Sequence, residues 1–495
     1  MASRQENNGV QGRGRWAVGL ALAGVLVASG PALATDQDGY LPLATAIHVH
    51  TTFSTGKESI EQVAAQAVAH GVEVVVVTDA DLLSAQYGLP FLRRLVRFGR
   101  EERSVLGRGA TAEYLAEIRR VDELHPELIL IDGMESAPFY YWEVDADRRQ
   151  WTARYWNKHL LAVGLGRQEF YEHLPVIDSG NLEVWHWTSL LYLWPLLALV
   201  YGWVARRRHP AAVRYPVMVI AGLALINNYP FKVPLWDQYH GDLGAAPYQH
   251  YIDYVRDRGG LVLWAHPEAR STIPPTELLG GRVRILSETP AHANDLLATR
   301  NYTGFAALYG DNVTAIEPGA EWDQVLQEYL RGERPRPVWG TGEIDYHYDD
   351  AAHRNRIHDI LTVVLARERS APAVLEALRL GRVYAVRGGD ERLALERFRV
   401  DTDLGMAVSG ESVPAAGPVR VHARLTRADG QEEELEVRLV RSGEVVARFR
   451  GTTPLDLGHV DEPLPAGAKT YYRLLVKSRA SRLVTNPIFV VAEGP

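Results

Sequence analysis

Residues 46–81 read AIHVHTTFSTGKESIEQVAAQAVAHGVEVVVVTDAD, and this stretch decides the fold class. A short apolar run at residues 44–48 predicts a strand, and residues 60–68 carry apolar side chains at helical spacing up to Gly71. The unbroken valines of residues 74–77 are typical of a strand buried on both faces. Together these three elements predict a βαβ unit.

The same pattern continues along the chain, with apolar runs at residues 128–131, 160–163, 261–264 and 337–339. Strands that alternate with helices predict a parallel α/β architecture. Towards the end of the chain the period changes to two, for example at Val419, Val421, Ala423 and Leu425. We therefore expect residues 396–495 to form a small antiparallel β-sandwich with an accessory role.

Composition narrows the possible chemistry of this 495-residue chain. The net charge is −8 and no long basic run is present, so nucleic-acid binding is not expected. The chain contains no cysteine, which excludes disulfides, thiolate metal sites and cysteine nucleophiles. Any metal must therefore be held mainly by His, Asp and Glu.

Two apolar regions predict export and membrane contact. Residues 1–34 have the basic, apolar and small-residue sections of a signal peptide. Residues 184–205 are long enough to cross a bilayer, and Arg206 to Arg208 and a second, shorter apolar run follow them. We expect residues 176–239 to be an apolar helical hairpin that crosses the membrane and contacts lipid; a buried or membrane-surface hairpin is the alternative. The body of the protein is then expected in the periplasm or on the outer face of the cytoplasmic membrane.

Polar side chains gather where the predicted strands end. His48 and His50 end the first strand, and strand alternation places residues i and i+2 on one face. Other candidates follow later strands in turn: Asp79, Glu135, His266, Asp345 and His347. Because active sites of α/β barrels lie at the C-terminal ends of the strands, we expect these side chains to converge.

Five motifs carry a family resemblance. Residues 46–81 resemble the opening of the PHP domain, the polymerase and histidinol phosphatase domain, and GMES at residues 133–136 resembles its glutamate motif. NKHLLAVGL at 157–165, GLVLWAHPEA at 260–269 and GTGEIDYHY at 340–348 resemble its histidine, His-Pro and DxH motifs. The resemblance implies a distorted (β/α)7 TIM-like barrel in two parts, residues 35–175 and 240–395, with a cluster of divalent ions.

The resemblance also implies roles for individual residues. One ion would be held by His48, His50, Glu135 and Asp345, and a second by Glu135, His159 and His266. His347 and Asp79 would be free either for contacts that support the ligands or for proton transfer. Arg270 follows the His-Pro motif and should lie near a strand end that carries a ligand, so its position makes it the candidate anion contact. Family members with a third metal usually carry Asp or His where this chain has Thr55 and Gly56, and His where it has Ala80. We therefore expect two divalent ions (Zn, Mn or Fe).

Three functions follow from these expectations. The first is a metal-dependent phosphoesterase that attacks a small-molecule ester with a metal-bridging hydroxide. The second is a metal-dependent carbamate or carboxyl ester hydrolase, because some exported proteins of this kind resemble carbaryl hydrolase. The third is a degenerate, non-catalytic binding module at the membrane, which Thr55 and Ala80 favour.

Overall fold

The computed structural model of the chain describes residues 38–89, 92–228, 232–278, 283–310, 313–350, 352 and 355–493. The predicted signal peptide at residues 1–34 lies outside the described residues.

The chain is a mixed α/β protein whose strands are, in order, β1 (Leu41–Val49), β2 (Val74–Val77), β3 (Ser84–Gly88), β4 (Arg97–Glu101), β5 (Ile129–Ser136), β6 (Tyr141–Asp145), β7 (Gln150–Arg154), β8 (Leu160–Val163), β9 (Glu183–Val184), β10 (Val233–Pro234), β11 (Leu261–Trp264), β12 (Ser271–Leu278), β13 (Val283–Thr289), β14 (Gly304–Leu308), β15 (Trp339–Gly342), β16 (Ile360–Ala366), β17 (Val383–Arg387), β18 (Leu393–Thr402), β19 (Gly405–Val408), β20 (Ser412–Ala415), β21 (Val419–Arg427), β22 (Glu434–Arg441), β23 (Glu444–Thr452), β24 (Leu455–Asp461), β25 (Lys469–Ser478), β26 (Arg482–Thr485) and β27 (Ile488–Ala492). The α-helices are α1 (Ile60–Ala69), α2 (Thr111–Leu124), α3 (Gln168–Glu172), α4 (Trp194–Val204), α5 (Ala211–Asn227), α6 (Ala246–Asp257), α7 (Asp295–Ala298), α8 (Glu321–Leu330) and α9 (Ala371–Leu380).

One large mixed sheet organises the protein. Its hydrogen-bonded path runs β15-β14-β11-β8-β5-β2-β1-β16-β17-β26-β25-β22-β23. Strands β1, β2 and β5 are parallel neighbours, as are β11, β14 and β15. The βαβ unit predicted at residues 46–81 is therefore present.

The parallel architecture that the sequence predicts does not hold along the whole path. Strand β8 runs antiparallel to both β5 and β11. Its first residues consequently lie at the sheet edge where its neighbours have their C-terminal ends. Strand β16 is also reversed relative to β1.

Strands β15 and β16 lie at opposite ends of the first eight strands of this path, yet they contact each other. The Thr362 hydroxyl of β16 donates to the Gly342 carbonyl oxygen of β15 and accepts from the Gly342 amide. These are side-chain contacts, and no backbone pairing of β15 with β16 occurs in the described residues. The large sheet thus curls, while the distorted barrel stays a prediction.

The two faces of this sheet pack against different helices. Side chains of α1, α2, α6 and α8 share one buried hydrophobic cluster with one face. Side chains of α9 share the second cluster with Ile47, Val74, Ile131 and Leu263. Both faces of the parallel strands are thereby covered, as their continuous apolar sequences require.

The apolar insert at residues 176–239 is closed at its base. Strands β9 and β10 pair antiparallel, which returns the chain to its point of departure. Between them, α4 and α5 pack closely, and a Cβ at Gly202 would lie 2.6 Å from the Met218 side chain. Residues 187–207 form a helical stretch that is long and apolar enough to cross a membrane, and only 22% of its apolar part is buried. Helix α5 is also apolar but shorter.

The C-terminal region contains the predicted antiparallel strands, but its boundary differs. The predicted start at residue 396 falls inside β18, and β26, β25, β22 and β23 continue the large sheet. A second sheet has the order β19-β18-β21-β24, and its buried residues join the same hydrophobic cluster. A separate β-sandwich therefore stays a prediction.

Candidate metal centre

The candidate side chains meet at one edge of the large sheet, and His48 shows how the backbone brings them there. The pairing of β1 with β2 shifts between Ile47 and Val49, so His48 is the extra residue of a β-bulge. Its φ is 73°, and His266 and Asp345 also have positive φ values of 31° and 51°. Non-glycine residues rarely adopt this conformation, and such residues concentrate at functional sites.

Glu135, at the end of β5, lies at the centre of the cluster. Its Oε1 atom is 3.0 Å from His48 Nε2, 2.6 Å from His159 Nδ1 and 3.4 Å from His266 Nε2. Its Oε2 atom is 3.4 Å from His50 Nε2. One carboxylate thus faces four imidazole rings, which fits the bridging position that the resemblance implies for it.

Asp345 closes the cluster on its solvent side. Its Oδ1 atom lies 3.4 Å from His48 Nε2 and 3.5 Å from His50 Nε2. Tyr309, directly after β14, donates a 3.1 Å hydrogen bond to Asp345 Oδ2. The His347 ring stacks on His50 with centroids 4.4 Å apart, and its Nδ1 is 3.0 Å from the Asp345 carbonyl oxygen. The His347 side chain is 31% exposed and that of His48 is 0% exposed, so His347 forms the open rim.

The outward-facing nitrogen of two rings is fixed by a polar neighbour. His159 Nε2 lies 3.2 Å from the Trp156 carbonyl oxygen, to which only an N–H can donate. His50 Nδ1 is 3.1 Å from the Ser54 hydroxyl. Such contacts fix the tautomer and orientation of metal-binding histidines, and in each ring they leave the other nitrogen for the cluster. His48 Nδ1 faces Glu343 Oε2 at 3.4 Å without the geometry of a hydrogen bond.

Those inward nitrogens have the character of metal ligands. His48 Nε2, His50 Nε2 and His159 Nδ1 are buried and make no hydrogen bond of acceptable geometry within the described residues, despite the nearby carboxylates. Buried polar atoms are normally paired, so these atoms need another partner.

Two overlapping ligand groups fit that requirement. His48, His50 and Asp345 offer ligand atoms within 4.8 Å of one another, and so do His48, Glu135 and His266. Imidazole and carboxylate donors suit Zn, Mn and Fe alike. The donor set therefore fits divalent ions, and each predicted ligand lies within this cluster.

The cluster is strongly charged before any ion binds. Burial opposes the charged form of His48, but Asp345 and Glu135 outweigh it and raise the pKa of the ring well above its usual value. Burial likewise opposes ionisation of Glu135, yet His159 and His48 lower the pKa of this carboxyl well below its usual value. A divalent ion at this site would therefore displace a proton from His48.

Asp79 lies in the position of a residue that supports the cluster. Its carboxylate accepts hydrogen bonds from the amides and hydroxyls of both Thr51 and Ser54, over 2.6–2.9 Å, so its oxygens are committed to the loop after β1. Because Ser54 contacts His50, Asp79 positions this predicted ligand through the loop. Its alternative role in proton transfer stays a prediction.

Arg270 is the second predicted residue that the structure does not bring into the cluster. It is exposed and lies in the segment between β11 and β12. It forms no ion pair with a cluster residue in the described part of the chain. Its role as an anion contact stays a prediction.

The motifs did not reveal Glu343 and Tyr309. Glu343 is fully buried and its Oε1 accepts a 3.1 Å hydrogen bond from the Thr341 hydroxyl. In the sequence, Glu343 directly follows the predicted strand that leads to Asp345. A charged residue at that position could have indicated a role at the site. Tyr309 follows an apolar pentapeptide, β14, that was not recognised as a strand.

The expected absence of a third metal site stays a prediction, and the structure describes two of the residues on which it depends. A Cβ at Gly56 would lie 2.4 Å from the His50 carbonyl oxygen, so a side chain there requires the loop to shift. Ala80 is buried and forms an isolated bridge with Glu135. Neither residue offers a ligand atom beside the cluster.

No family model and no curated protein sequence matches this chain. Among solved structures, it is similar to a two-domain protein from Bacteroides vulgatus containing a predicted PHP-like metal-dependent phosphoesterase, with 13% identity, a TM-score of 0.38, and coverage of 90% of this chain and 94% of that one. A second match, from Bifidobacterium adolescentis, is provisionally described as a metal-dependent phosphoesterase; it has 17% identity, a TM-score of 0.27, and coverage of 63% and 91%. A third is an amidohydrolase from Chromobacterium violaceum with bound sulfate and no metal, with 14% identity, a TM-score of 0.20, and coverage of 45% and 66%. The first description names the family that the motifs resemble.

Proposed function

We propose that this chain is a metal-dependent hydrolase of the PHP type, and that its substrates are phosphoric esters. The observation that carries the proposal is the set of three buried inward nitrogens, His48 Nε2, His50 Nε2 and His159 Nδ1, which lack a hydrogen-bond partner within the described residues. Outer contacts hold the His50 and His159 rings in orientation, as at sites built to bind metal. The five sequence motifs supply the same residues in the family's order.

The chain's own residues would then divide the work. When bound, two divalent ions supply Lewis acidity and a nucleophilic hydroxide near neutral pH. His48, His50, His159, His266, Glu135 and Asp345 would hold the ions. His347 stands at the rim with Nδ1 directed to a carbonyl oxygen, so its Nε2 is free, and the protonated ring would donate its Nε2 proton to a leaving oxygen.

A carbamate or carboxyl ester is the second candidate substrate. The observation that favours it is the close approach of Gly56 to the His50 backbone, which leaves no room for a third-site ligand there. A site with two ions makes fewer contacts to phosphate oxygens than a site with three. A planar carbonyl substrate needs fewer such contacts than a phosphoric ester.

A substrate screen with added metal separates these candidates. Purified protein is loaded with Zn²⁺, Mn²⁺ or Fe²⁺ and assayed against p-nitrophenyl phosphates, p-nitrophenyl carboxylates and aryl carbamates. The proposal predicts metal-dependent release of p-nitrophenol from the p-nitrophenyl phosphates. The substitution His266→Ala should abolish this release. Release confined to carbamates or carboxylates would favour the second candidate, and no release from any class would contradict both.

We also propose that the helical hairpin contacts lipid. Large apolar side chains are exposed along both helices, including Leu197 at 74% and Ile220 at 64%. Contiguous exposed apolar surface of this kind marks an interaction site. Flotation with phospholipid vesicles is expected for the native chain and not for Leu197→Glu/Ile220→Glu. Unchanged flotation of the double variant would contradict the proposal.

A further inference from the structure

A second group of potential metal ligands shares no residue with the cluster around Glu135. His70, His358 and Asp390 offer ligand atoms that lie within 4.8 Å of one another. The His70 and His358 rings stack with their centroids 4.1 Å apart and an angle of 17° between their planes. His358 Nε2 lies 3.0 Å from Asp390 Oδ1. Two imidazoles and one carboxylate form a common protein ligand set for zinc.

Three separate elements bring these side chains together. His70 is the C-cap residue of α1, and Gly71 follows it with a φ of 68°. His358 lies just before β16, and Asp390 lies in the short 3-10 helix Gly389–Glu391 that follows β17. An ion bound by all three side chains would therefore join α1 to β16 and β17.

The Asp390 carboxylate is held from the side that faces away from His358. Its Oδ2 atom accepts a 2.9 Å hydrogen bond from Arg356 Nη1, and Arg356 Nη2 donates to Asp359 Oδ1 over 2.9 Å. A Cβ at Gly389 would lie 2.6 Å from Asp359 Oδ1, so glycine at this position lets the turn approach the Arg356–Asp359 pair. Outer hydrogen bonds of this kind orient carboxylates that bind metal. Because two carboxylates share the one guanidinium, negative charge remains for a cation.

The His358 ring has the properties of a ligand rather than of a satisfied core histidine. It is 1% exposed, and its Nδ1 atom has no hydrogen-bond partner within the described residues, although buried polar atoms are normally paired. Burial lowers the pKa of this ring, and the facing His70 ring lowers it further. The ring is therefore neutral at pH 7, which is the form that binds metal.

The site can be entered from solvent. The Asp390 side chain is 68% exposed, and His70 is half-buried. Beyond its ring contact with His358, the His70 side chain has no hydrogen bond or ion pair in the part of the chain that the structure describes. An ion can thus reach Asp390 first, and a small rotation of the His70 ring completes the ligand set.

We propose that His70, His358 and Asp390 bind one divalent transition-metal ion such as Zn²⁺, separate from the ions of the Glu135 cluster. Three protein ligands leave a fourth position to water. Because its carboxylate is exposed, this site binds its ion more weakly than the buried cluster does. An ion that binds only the folded chain stabilises that chain, so this ion would fasten α1 to β16 and β17. The inference goes beyond the proposed hydrolase function and does not depend on it.

Equilibrium dialysis of the full chain against Zn²⁺ tests the proposal, with bound zinc measured as the free Zn²⁺ concentration rises through the micromolar range. The native chain is expected to bind one weaker ion in addition to the tightly held ions of the Glu135 cluster. His70→Ala removes a ligand, and Asp390→Asn removes the charge of another. Loss of a group that only orients a ligand already costs about 10–100-fold in affinity, so each variant should bind the weaker ion roughly ten-fold or more less tightly. Both variants should keep the tightly held ions.

His125→Ala is the matched control, because His125 is the C-cap residue of α2 and lies beside Glu127 but belongs to no three-residue ligand group among the described residues. It should bind as many ions as the native chain. Glu135→Gln should lose the tightly held ions and keep the weaker one, which separates this site from the proposed function. A native chain without a weaker ion, or a weaker ion that survives unchanged in both His70→Ala and Asp390→Asn, would overturn the proposal. An equal loss in His125→Ala would overturn it as well.

Discussion

The fully buried Glu343 carboxylate allows the sharpest prediction about this site. Its Oε2 atom lies 3.4 Å from His48 Nδ1, on the side of the ring away from Glu135. Glu343→Gln keeps the size of the side chain and removes its charge. Carboxylate partners of metal-binding histidines are worth about 10–100-fold in affinity, which is about 1.4–2.8 kcal/mol.

A second effect of this substitution has the opposite sign. Glu343 is one of the groups that raise the pKa of His48, so its loss makes the proton easier to displace. The easier loss of the His48 proton offsets part of the lost metal affinity at neutral pH, where the ring is protonated. It offsets nothing at a pH above the His48 pKa, where the ring carries no proton to displace. The loss of affinity should therefore grow as the pH rises.

Competition between the protein and a chelator for Zn²⁺ or Mn²⁺, measured at two pH values, tests both effects. Glu268→Gln is the control, because Glu268 follows His266 closely but binds the Thr314 amide rather than an imidazole. We expect a loss of roughly ten-fold or more for Glu343→Gln and no loss for the control. Equal affinity of both variants at both pH values would refute the role assigned to Glu343.

Three further substitutions test the surroundings of the cluster. Asp79→Asn removes half of the acceptor capacity that holds residues 51–54, so urea denaturation should show a loss of about 1–3 kcal/mol; an unchanged unfolding free energy would contradict the anchoring role. Burial raises the pKa of Asp81 from 3.8 to about 7, and a carboxyl with a raised folded pKa loses stability as pH rises between those values. In chelator, the unfolding free energy of Asp81→Asn should therefore exceed that of the native chain by roughly 2–4 kcal/mol at pH 8 and be about equal to it at pH 4. Equal unfolding free energies at both pH values would argue against a buried acid. Tyr309→Phe removes the donor to Asp345 and should lower kcat/KM roughly three- to ten-fold, whereas native kinetics would remove Tyr309 from the site.

The ends of the predicted strands identified most of the side chains that form the cluster, while their role as metal ligands stays a prediction. The HxH pattern predicted a shared direction for His48 and His50 from strand alternation, and both rings do reach Glu135. The backbone achieves this through a bulge at His48 rather than through regular alternation. Local pattern therefore identified the residues but not the conformation that aims them.

His159 shows what resemblance adds to the residue pattern. A parallel architecture places ligands after strands, and His159 precedes one, so the pattern alone argued against it. Because β8 is antiparallel, its beginning lies at the same edge as the ends of its neighbours. Strand direction depends on long-range pairing, which a local apolar run does not encode.

Asp79 and Arg270 show the opposite case. Asp79 follows a predicted strand and Arg270 follows the predicted ligand His266, yet Asp79 anchors a loop and Arg270 is exposed. Position along the chain does not define side-chain direction in a loop. The sequence did not predict the small sheet β12-β13-β7-β6, because strands such as β6 alternate only weakly between apolar and polar residues.

Metal stoichiometry tests the central claim most directly. The full chain is depleted with chelator, dialysed against Zn²⁺ or Mn²⁺ and analysed by elemental mass spectrometry, beside His48→Ala and Glu135→Gln. We predict about two tightly held ions per native chain, as in two-metal hydrolytic centres, and loss of tight binding in both variants. A native chain that retains no ion, or retains the same number as the two variants, would contradict the account.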